Sequence, residues 1–310
     1  MRTPSSLLAV AALIPIAAVA LAGCTTDPTA IDGCIPVAGP GGASSLVTVE
    51  GEVGSEATIS FPTPLYSDGL QRSVLVPGEG ARIKPGQQVH FHASIVNGVT
   101  GAPIATTDYT DQGFARAVAG QISNFGIALT CARVGERVVL TGPALDVLGA
   151  DALANSGMPE DQPLVLVFDI DNVFLAKADG INQLPADGLP VVTTAVDGTP
   201  GVTLPKYAPP ANLTTAAIKL GGGDVVTTGD EVVVNFTVWS WPTDGSAPTV
   251  LNSTWSSVAS IFSTDAADMP AGFLAGTVGY PVGSQVMVLT PATAEEDARI
   301  FVVDILGVKN

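Results

Sequence analysis

Basic side chains, histidine and cysteine are scarce in this chain, and each shortage excludes a kind of chemistry. The 310 residues include 12 Lys and Arg against 29 Asp and Glu, which gives a formal net charge of −17. Such an excess of carboxylates repels a phosphate backbone, so we expect no nucleic-acid partner. The sequence also lacks a Gly-x-Ser-x-Gly turn, and its two histidines are only two residues apart. No Ser-His-Asp nucleophile is therefore predicted.

The two histidines, His90 and His92, could in principle bind a metal. Residues two apart in a strand face the same side, so both imidazoles could hold one edge of a site. A third ligand would have to be a carboxylate because the chain has no other histidine. The alternative is a solvated or hydrogen-bonded strand face. We adopt this alternative and predict neither a metal nor a cofactor.

The N-terminal residues indicate export. Arg2 precedes an apolar run at 7–22, whose 16 residues are short for a membrane span. The run ends in Leu21-Ala22-Gly23-Cys24, which resembles the lipobox of bacterial lipoproteins. That resemblance implies a signal peptide and lipobox at residues 1–24, with cleavage before a lipidated Cys24. A plain secretory signal is the alternative. A single lipid anchor predicts a protein held at the outer face of the cell membrane.

Two further cysteines, Cys34 and Cys131, follow the anchor. Thiols tend to pair in an oxidising compartment, so we predict a disulfide between them. The bond would close a large loop and stabilise the fold by about 4 kcal/mol. Two buried free thiols are the alternative. Residues 25–45 are rich in small residues, Pro and Gly, and they are predicted to be a flexible tether.

The remaining sequence contains one pattern twice. The stretches GEGARIKPGQQVHFHA at 78–93 and GGGDVVTTGDEVVVNF at 221–236 each contain a glycine turn, a spacer, a second glycine and a β-rich run. Gly80 and Gly223 are 143 residues apart, and further matches follow in the same order with loops of different length. The sequence therefore predicts two copies of one domain, at 46–177 and 191–310, joined by a polar, turn-rich linker at 178–190.

Each copy is predicted to consist mostly of strands. The β-rich runs at 89–92 and 232–236 follow turns. Before a later strand of each copy, residues 124–129 and 271–276 have apolar side chains three or four positions apart, which is typical of a short helix. The predicted fold class is α+β, with two tandem domains that each wrap a curved antiparallel β-sheet around one short α-helix.

Five motifs occur in the same order in both copies: a glycine turn, a glycine before a strand, a short helix, Val-Gly before another strand, and an apolar strand with an aspartate. In the first copy the turn, second glycine, Val-Gly and last strand are Gly78-Glu79-Gly80, Gly86, Val134-Gly135 and Val167-Phe168-Asp169-Ile170. In the second they are Gly221-Gly222-Gly223, Gly229-Asp230, Val282-Gly283 and Val302-Val303-Asp304-Ile305. This order resembles the FK506-binding-protein (FKBP) family of peptidyl-prolyl isomerases, and the resemblance covers nearly all of the mature chain.

The resemblance implies an apolar pocket in the second copy that lowers the barrier of about 18–20 kcal/mol to X-Pro rotation. A dry pocket can favour the twisted amide over the planar one. The implied pocket residues are Phe236, Leu251, Asn252, Phe262, Met269, Pro270 and Phe273, with Phe273 as the floor. The chain departs from the family at Asn252, where the family has an aspartate. A second departure is the short connection at 290–297, where the family has a long loop with a tyrosine.

The first copy resembles the family less closely. Its implied substrate-binding residues are Ile104, Gln121, Ile122 and Phe125, and Ala93 replaces the pocket tyrosine. Residues 144–159 are predicted to be a loop long enough to close a pocket. The resemblance implies a weak isomerase that acts on X-Pro bonds of exported proteins, with proline-containing polypeptides as partners. The alternatives are a non-catalytic proline-peptide-binding or chaperone lipoprotein and a purely structural lipoprotein. The sequence does not indicate an oligomeric state.

Overall fold

The structure is a computed structural model that describes residues 34–110, 113–121, 125–266, 270–294 and 296–309. Three residues with predicted roles, Cys24, Ile122 and Met269, lie outside the described residues. So does the predicted signal peptide. Within the described ranges, no helix is long and apolar enough to cross a membrane.

The described residues form mostly antiparallel strands with few helices. The strands are β1 (Thr48–Glu50), β2 (Thr58–Ser60), β3 (Gln71–Val76), β4 (Gln88–Asn97), β5 (Pro103–Thr106), β6 (Ala115–Val118), β7 (Arg137–Pro143), β8 (Pro163–Phe174), β9 (Ile181–Asn182), β10 (Val191–Thr194), β11 (Pro200–Thr203), β12 (Thr214–Leu220), β13 (Glu231–Ser240), β14 (Val250–Ser253), β15 (Ser260–Ser263), β16 (Gln285–Thr290) and β17 (Arg299–Lys309). The α-helices are α1 (Gly126–Leu129), α2 (Ala144–Ser156) and α3 (Ala271–Thr277), and a 3₁₀ turn spans Ser44–Leu46.

Two large sheets share one strand order. The first sheet has the order β3-β7-β8-β4-β5, with β6 also paired to β4. The second has the order β14-β13-β17-β16-β12-β9, with β15 also paired to β13. Strands β3, β7, β8, β4, β5 and β6 thus correspond to β12, β16, β17, β13, β14 and β15. The sequence repeat is therefore also a repeat of sheet topology.

The repeated glycines occupy turns with matching backbone conformations. Gly86 and Gly229 have φ of 86° and 99°, and Gly135 and Gly283 have φ of 81° and 90°. These values lie in the left-handed region, which glycine enters without the steric cost of a Cβ atom. The spacing of glycine in the sequence thus follows from the turns that the two sheets share.

One face of each sheet, here called the inner face, packs against a short helix. Alternate side chains of β4 and β13 form the two cores, since every second residue of a strand faces the same side. These are Val89, Phe91 and Ala93 in the first sheet and Val232, Val234, Phe236 and Val238 in the second. The short helices predicted before the later strands are confirmed as α1 and α3.

The opposite face of each sheet, the outer face, is covered by a separate two-stranded hairpin, β1-β2 or β10-β11. Val49 and Ile59 of the first hairpin pack on the first sheet. Val192 of the second hairpin belongs to the same apolar cluster as Trp239 and Trp241, which are 4% and 3% exposed. Each sheet therefore lies between a helix and a hairpin, and these two tryptophans are core residues.

Residues 144–159, predicted to be a loop, contain helix α2, so that prediction is wrong. The segment ALDVLGADALANS is rich in Ala and Leu, which have high helix propensity. Gly149 interrupts the helix with φ of 75°, and Gly157 ends it in the left-handed conformation. Val147 and Leu153 pack into the core of the first sheet. The first sheet therefore packs against two helices, whereas one was predicted.

Residues 34–45, part of the predicted flexible tether, are attached to the first sheet. The predicted disulfide between Cys34 and Cys131 is confirmed, with Cα atoms 5.6 Å apart. Ala43 is buried in the apolar cluster beneath the first hairpin. The hydroxyl of Ser44, which is also buried, lies 2.9 Å from that of Ser73. The small side chains of this segment indicate a tether in the sequence, but in the structure they allow it to pack closely on the first sheet.

The two sheets contact each other directly. Phe174 at the end of β8 lies against Gly307, where a Cβ atom would come within 2.3 Å of the phenyl ring. The backbone N–H of Leu175 donates to the carbonyl of Leu306 at 3.1 Å. Apolar side chains of both sheets are buried around this contact. The chain that leaves the first sheet therefore packs on the second sheet at once.

Candidate functional site

The candidate site is a cluster of four phenylalanines on the inner face of the second sheet. The Phe273 ring contacts three others edge-on, with ring centroids 4.6 Å from Phe236, 5.4 Å from Phe262 and 5.4 Å from Phe301. Edge-to-face pairs at these distances contribute about 0.5–1.5 kcal/mol each beyond the burial of their area. Phe236 and Phe301 are buried, whereas Phe262 and Phe273 are half-buried. The half-buried rings give the cluster a surface that a ligand can reach.

Local sequence positions these rings. Phe236 and Phe301 lie on β13 and β17, which pair directly. Phe273 lies in the first turn of α3, where its N–H donates to the carbonyl of Pro270 at 2.9 Å. A Cβ atom on Gly272 would come within 2.7 Å of the Phe301 ring. Glycine at this position therefore lets the helix approach the sheet closely enough for Phe273 to sit between the strands.

The structure brings three of the residues predicted for this pocket together and places three elsewhere or at its edge. Phe236, Phe262 and Phe273 form the cluster. Asn252 is exposed on β14 opposite Val238, whose side chain belongs to the inner-face core. Because directly paired residues share a face, the Asn252 amide lies on the side of the cluster.

The other two described residues, Leu251 and Pro270, are exposed. Leu251 is 53% exposed, lies at an irregularity in the β13-β14 pairing and does not pack in the phenylalanine cluster. Pro270 is the N-cap residue of α3. The remaining predicted residue, Met269, lies outside the described residues.

Phe301 was not predicted from the sequence. The alternation in the last strand carried the signal, because Phe301, Val303 and Ile305 are two residues apart and all face the inner core. The repeated motif covers only Val302-Val303-Asp304-Ile305 of this strand, and Phe301 lies immediately before it.

The cluster contains no acid or base, and its chemistry is that of an apolar surface with one amide at the rim. Such a surface can hold a proline ring and remove water from the peptide bond before it. Removing water favours the twisted amide, whose carbonyl oxygen carries less charge than that of the planar amide. No proton transfer is needed for this rotation.

The corresponding position in the first sheet is filled differently. Ala93 lies opposite Phe168 across β4 and β8, whereas in the second sheet Phe236 lies opposite Val303 across β13 and β17. The large and small side chains are thus exchanged between the strands. Phe125 is half-buried beside Phe168, with ring centroids 5.7 Å apart.

The other predicted residues of the first copy do not gather around these rings. Ile104 is 39% exposed on β5, and Gln121 is exposed. Ile122 lies outside the described residues. The first sheet therefore presents one half-buried ring, Phe125, where the second sheet presents two.

The two histidines lie on the outer face of the first sheet, and both are buried. His90 stacks on Phe114 at 4.2 Å, and His92 stacks on Tyr109 at 4.7 Å. Burial, with a smaller effect of nearby Arg116 and Lys309, lowers the pKa of His90 to about 3. Within the described ranges, no group of three or more His, Cys, Asp and Glu side chains could hold a metal.

No protein-family model matches the chain, and no curated protein matches it. Three similar solved structures are the three FKBP domains of wheat FKBP73, the N-terminal domain of FKBP42 from Arabidopsis thaliana, and FkpA from Escherichia coli.

The wheat structure is 13% identical with a TM-score of 0.33, and the match covers 77% of this chain and 94% of the wheat chain. The Arabidopsis domain is 13% identical with a TM-score of 0.30, and coverage is 40% and 98%. FkpA is 18% identical with a TM-score of 0.27, and coverage is 40% and 52%. The structural neighbours are thus FKBP-domain proteins, and at this identity and TM-score they assign no activity to this chain.

Proposed function

We propose that the chain is a tandem FKBP-like peptidyl-prolyl cis-trans isomerase whose working site is the phenylalanine cluster of the second sheet. The observation that carries the proposal is the half-buried Phe273 ring, held edge-on by three other rings on the inner face of a curved antiparallel sheet. A proline ring packs on such a surface while the preceding peptide bond turns. An acceleration of 10⁴ requires about 5–6 kcal/mol.

The first sheet supports the second in this proposal. Its inner face is packed by Phe168, and it presents fewer exposed aromatic rings. The second sheet packs directly on the first sheet, which is stabilised by the disulfide between Cys34 and Cys131. The first copy therefore serves as a structural base, with weak binding at Phe125 at most.

We propose that the protein acts outside the cell, anchored by a lipid on Cys24. The disulfide between Cys34 and Cys131 supports an oxidising compartment, because such bonds persist in exported proteins and are rare in the cytosol. Mass spectrometry of membrane-associated protein tests the anchor. Acyl chains on an N-terminal Cys24 are expected, and an intact Met1 terminus contradicts the anchor.

A second candidate function is proline-peptide binding without turnover, and a specific observation favours it. The site contains Phe236 where the resemblance implies a tyrosine, and the connection between β16 and β17 is short. Neither place supplies a donor to the substrate carbonyl. Binding would then depend on apolar contact and on the Asn252 amide at the rim.

Magnetisation-transfer NMR of an X-Pro tetrapeptide distinguishes the two functions. The isomerase proposal expects faster cis-trans exchange with the wild-type chain and exchange at the uncatalysed rate with Phe273→Ala. Phe125→Ala is the matched control in the first copy, and it should retain the acceleration. Peptide binding without faster exchange supports the binding module. Neither binding nor acceleration contradicts both functions.

A further inference from the structure

A cavity of about 340 Å³ lies between the two sheets, away from the phenylalanine cluster. Gln88 and Val118 of the first sheet line one side, and Asn235 and Trp255 of the second copy line the other. Its volume lies at the lower end of the range for small-ligand sites in proteins. The cavity can therefore take a short segment of chain but not a folded domain.

Two amide side chains offer hydrogen-bond donors to this cavity. Gln88 accepts the N–H of Ala259 at Oε1, 3.0 Å away, and Asn235 accepts the hydroxyl of Thr254 at Oδ1, 3.1 Å away. Both side chains are almost fully buried. With each oxygen so engaged, Nε2 of Gln88 and Nδ2 of Asn235 donate to no group of the described chain. Both side chains line the cavity.

Trp255 adds an aromatic wall. Its indole Nε1 is buried and has no hydrogen-bond partner among the described residues. The ring itself is a flat apolar wall of the cavity. Gly198 packs so closely on its far edge that a Cβ atom there would come within 2.6 Å of the ring.

The charges at the mouth of the cavity balance each other. Lys177 and Asp197 line it, and Lys177 Nζ donates to the carbonyl of Val196. One cation and one anion favour a neutral ligand over a carboxylate or an amine. Pro85, Val118 and Ala176 supply apolar contacts. A fitting ligand is thus neutral, partly apolar and rich in hydrogen-bond acceptors.

We propose that this cavity binds a proline-rich segment in the polyproline II conformation, with backbone carbonyls accepting from Gln88 and Asn235 and a proline ring packed on Trp255. A proline has a carbonyl but no N–H, so a proline-rich segment brings acceptors to these donors without bringing donors of its own. Polyproline II also leaves its carbonyls unbonded and its rings outward, and aromatic-lined grooves recognise it. The proposal shares the class of partner with the proposed function but does not depend on the Phe273 site.

The test is a ¹H–¹⁵N NMR titration of the full chain with acetylated, amidated hexaproline. We expect the indole N–H of Trp255 and the side-chain amides of Gln88 and Asn235 to shift. The indoles of Trp239 and Trp241, covered by the second hairpin, should not move and serve as internal controls. Trp255→Phe assigns the indole signal. The same titration on Phe273→Ala should give the same shifts. The titration therefore tests binding in the cavity independently of isomerase activity at the phenylalanine cluster.

Two variants remove a donor and keep the acceptor that the fold uses. Gln88→Glu keeps an oxygen for the N–H of Ala259, and Asn235→Asp keeps one for Thr254. Each should weaken hexaproline binding at least tenfold. The chemical-shift changes of the wild-type chain test the proposal even where a variant fails to fold.

Three results would overturn the proposal. The first is no shift at any of the three N–H groups with hexaproline. The second is an equal shift with a Gly-Ser hexapeptide, which carries an N–H on every residue. The third is a shift with acetate alone, which would assign the cavity to a small carboxylate.

Discussion

Gln285 donates a hydrogen bond from Nε2 to Oδ1 of Asp304 at 2.7 Å, and both side chains are buried in the second sheet. At the same two positions of the first sheet, Arg137 forms a bidentate ion pair with Asp169, with two N–O distances of 2.6 Å. The aspartate is thus kept in both copies, but an arginine pairs with it in the first copy and an amide side chain in the second. Burial raises the pKa of Asp304 to about 6.

This difference predicts an unusual pH dependence for the second sheet. Between its ordinary value of 3.8 and about 6, Asp304 binds more protons in the folded than in the unfolded chain. Stability therefore falls as the pH rises through this range, by on the order of 3 kcal/mol. All three tryptophans lie in the second copy, so tryptophan fluorescence during urea unfolding reports on it.

Asp304→Asn should remove this pH dependence and raise stability at pH 7. The amide can still accept from the N–H of Ala178, which now donates to Asp304 at 2.8 Å. It can also donate to Oε1 of Gln285, which has no hydrogen-bond partner among the residues that the structure describes. Asp187→Asn, at an exposed position, is the control. The same pH dependence of stability in the wild type and in Asp304→Asn would contradict the raised pKa.

In the first sheet, Arg137→Gln copies the pair of the second sheet and should be strongly destabilising. It leaves Asp169 as a buried charge without its cation, which costs about 3–5 kcal/mol. Arg137 also donates to the carbonyls of Gly51 and Glu52 at 2.8 Å, so the first hairpin should loosen as well. Hydrogen exchange of residues 48–60 measures this. Adding Asp169→Asn should recover part of the loss, and no recovery would contradict a charge effect.

His90 makes the first sheet sensitive to acid in the opposite direction. Because burial lowers its pKa to about 3, the unfolded chain binds a proton more readily as the pH falls below 6.5. Stability contributed by neutral His90 is therefore lost as the pH falls from about 6.5 towards 3. His90→Phe should keep the stacking on Phe114 and flatten this dependence. It also removes Nδ1, which has no hydrogen-bond partner within the described part of the chain. Hydrogen exchange of β4 at pH 4 and pH 7 provides the measurement, and an unchanged acid response would exclude His90 as its source.

The sequence predicted what local geometry demands and missed what depends on long-range packing. The glycines at 86, 229, 135 and 283 could be predicted because a left-handed turn selects glycine wherever it occurs. The two hairpins on the outer faces could not be placed. A short strand with alternating apolar residues could pair equally well at the edge of a large sheet. Only the burial of Trp239 and Trp241 in the structure shows what the second hairpin covers.

The same distinction holds for the site. Phe236, Phe262 and Phe273 were predicted because the resemblance to the FKBP family implies a pocket residue at each of these places. Leu251 was expected in the wall, but an irregularity in the β13-β14 pairing leaves it exposed, and such an irregularity has no sequence signature here. Helix α2 was missed because the resemblance implies a loop at this place, although the Ala and Leu of the segment favour a helix.

Gly272→Ala separates helix propensity from packing at the candidate site. In an isolated helix the change stabilises by roughly 1 kcal/mol. Here the added methyl group would lie 2.7 Å from the Phe301 ring, so α3 must move away from the sheet. We expect the second sheet to be destabilised by about 1–3 kcal/mol, as overpacked cores are. We also expect weaker binding of proline peptides, because Phe273 moves with the helix.

Gly222→Ala is the matched control, because a Cβ atom there has no neighbour within 4 Å. Urea unfolding followed by tryptophan fluorescence gives the stability of each variant, and peptide titration gives the affinity. A Gly272→Ala chain that is more stable than wild type and binds peptide equally well would show that α3 does not rest on Phe301. The four-ring cluster would then not be the surface that holds a proline.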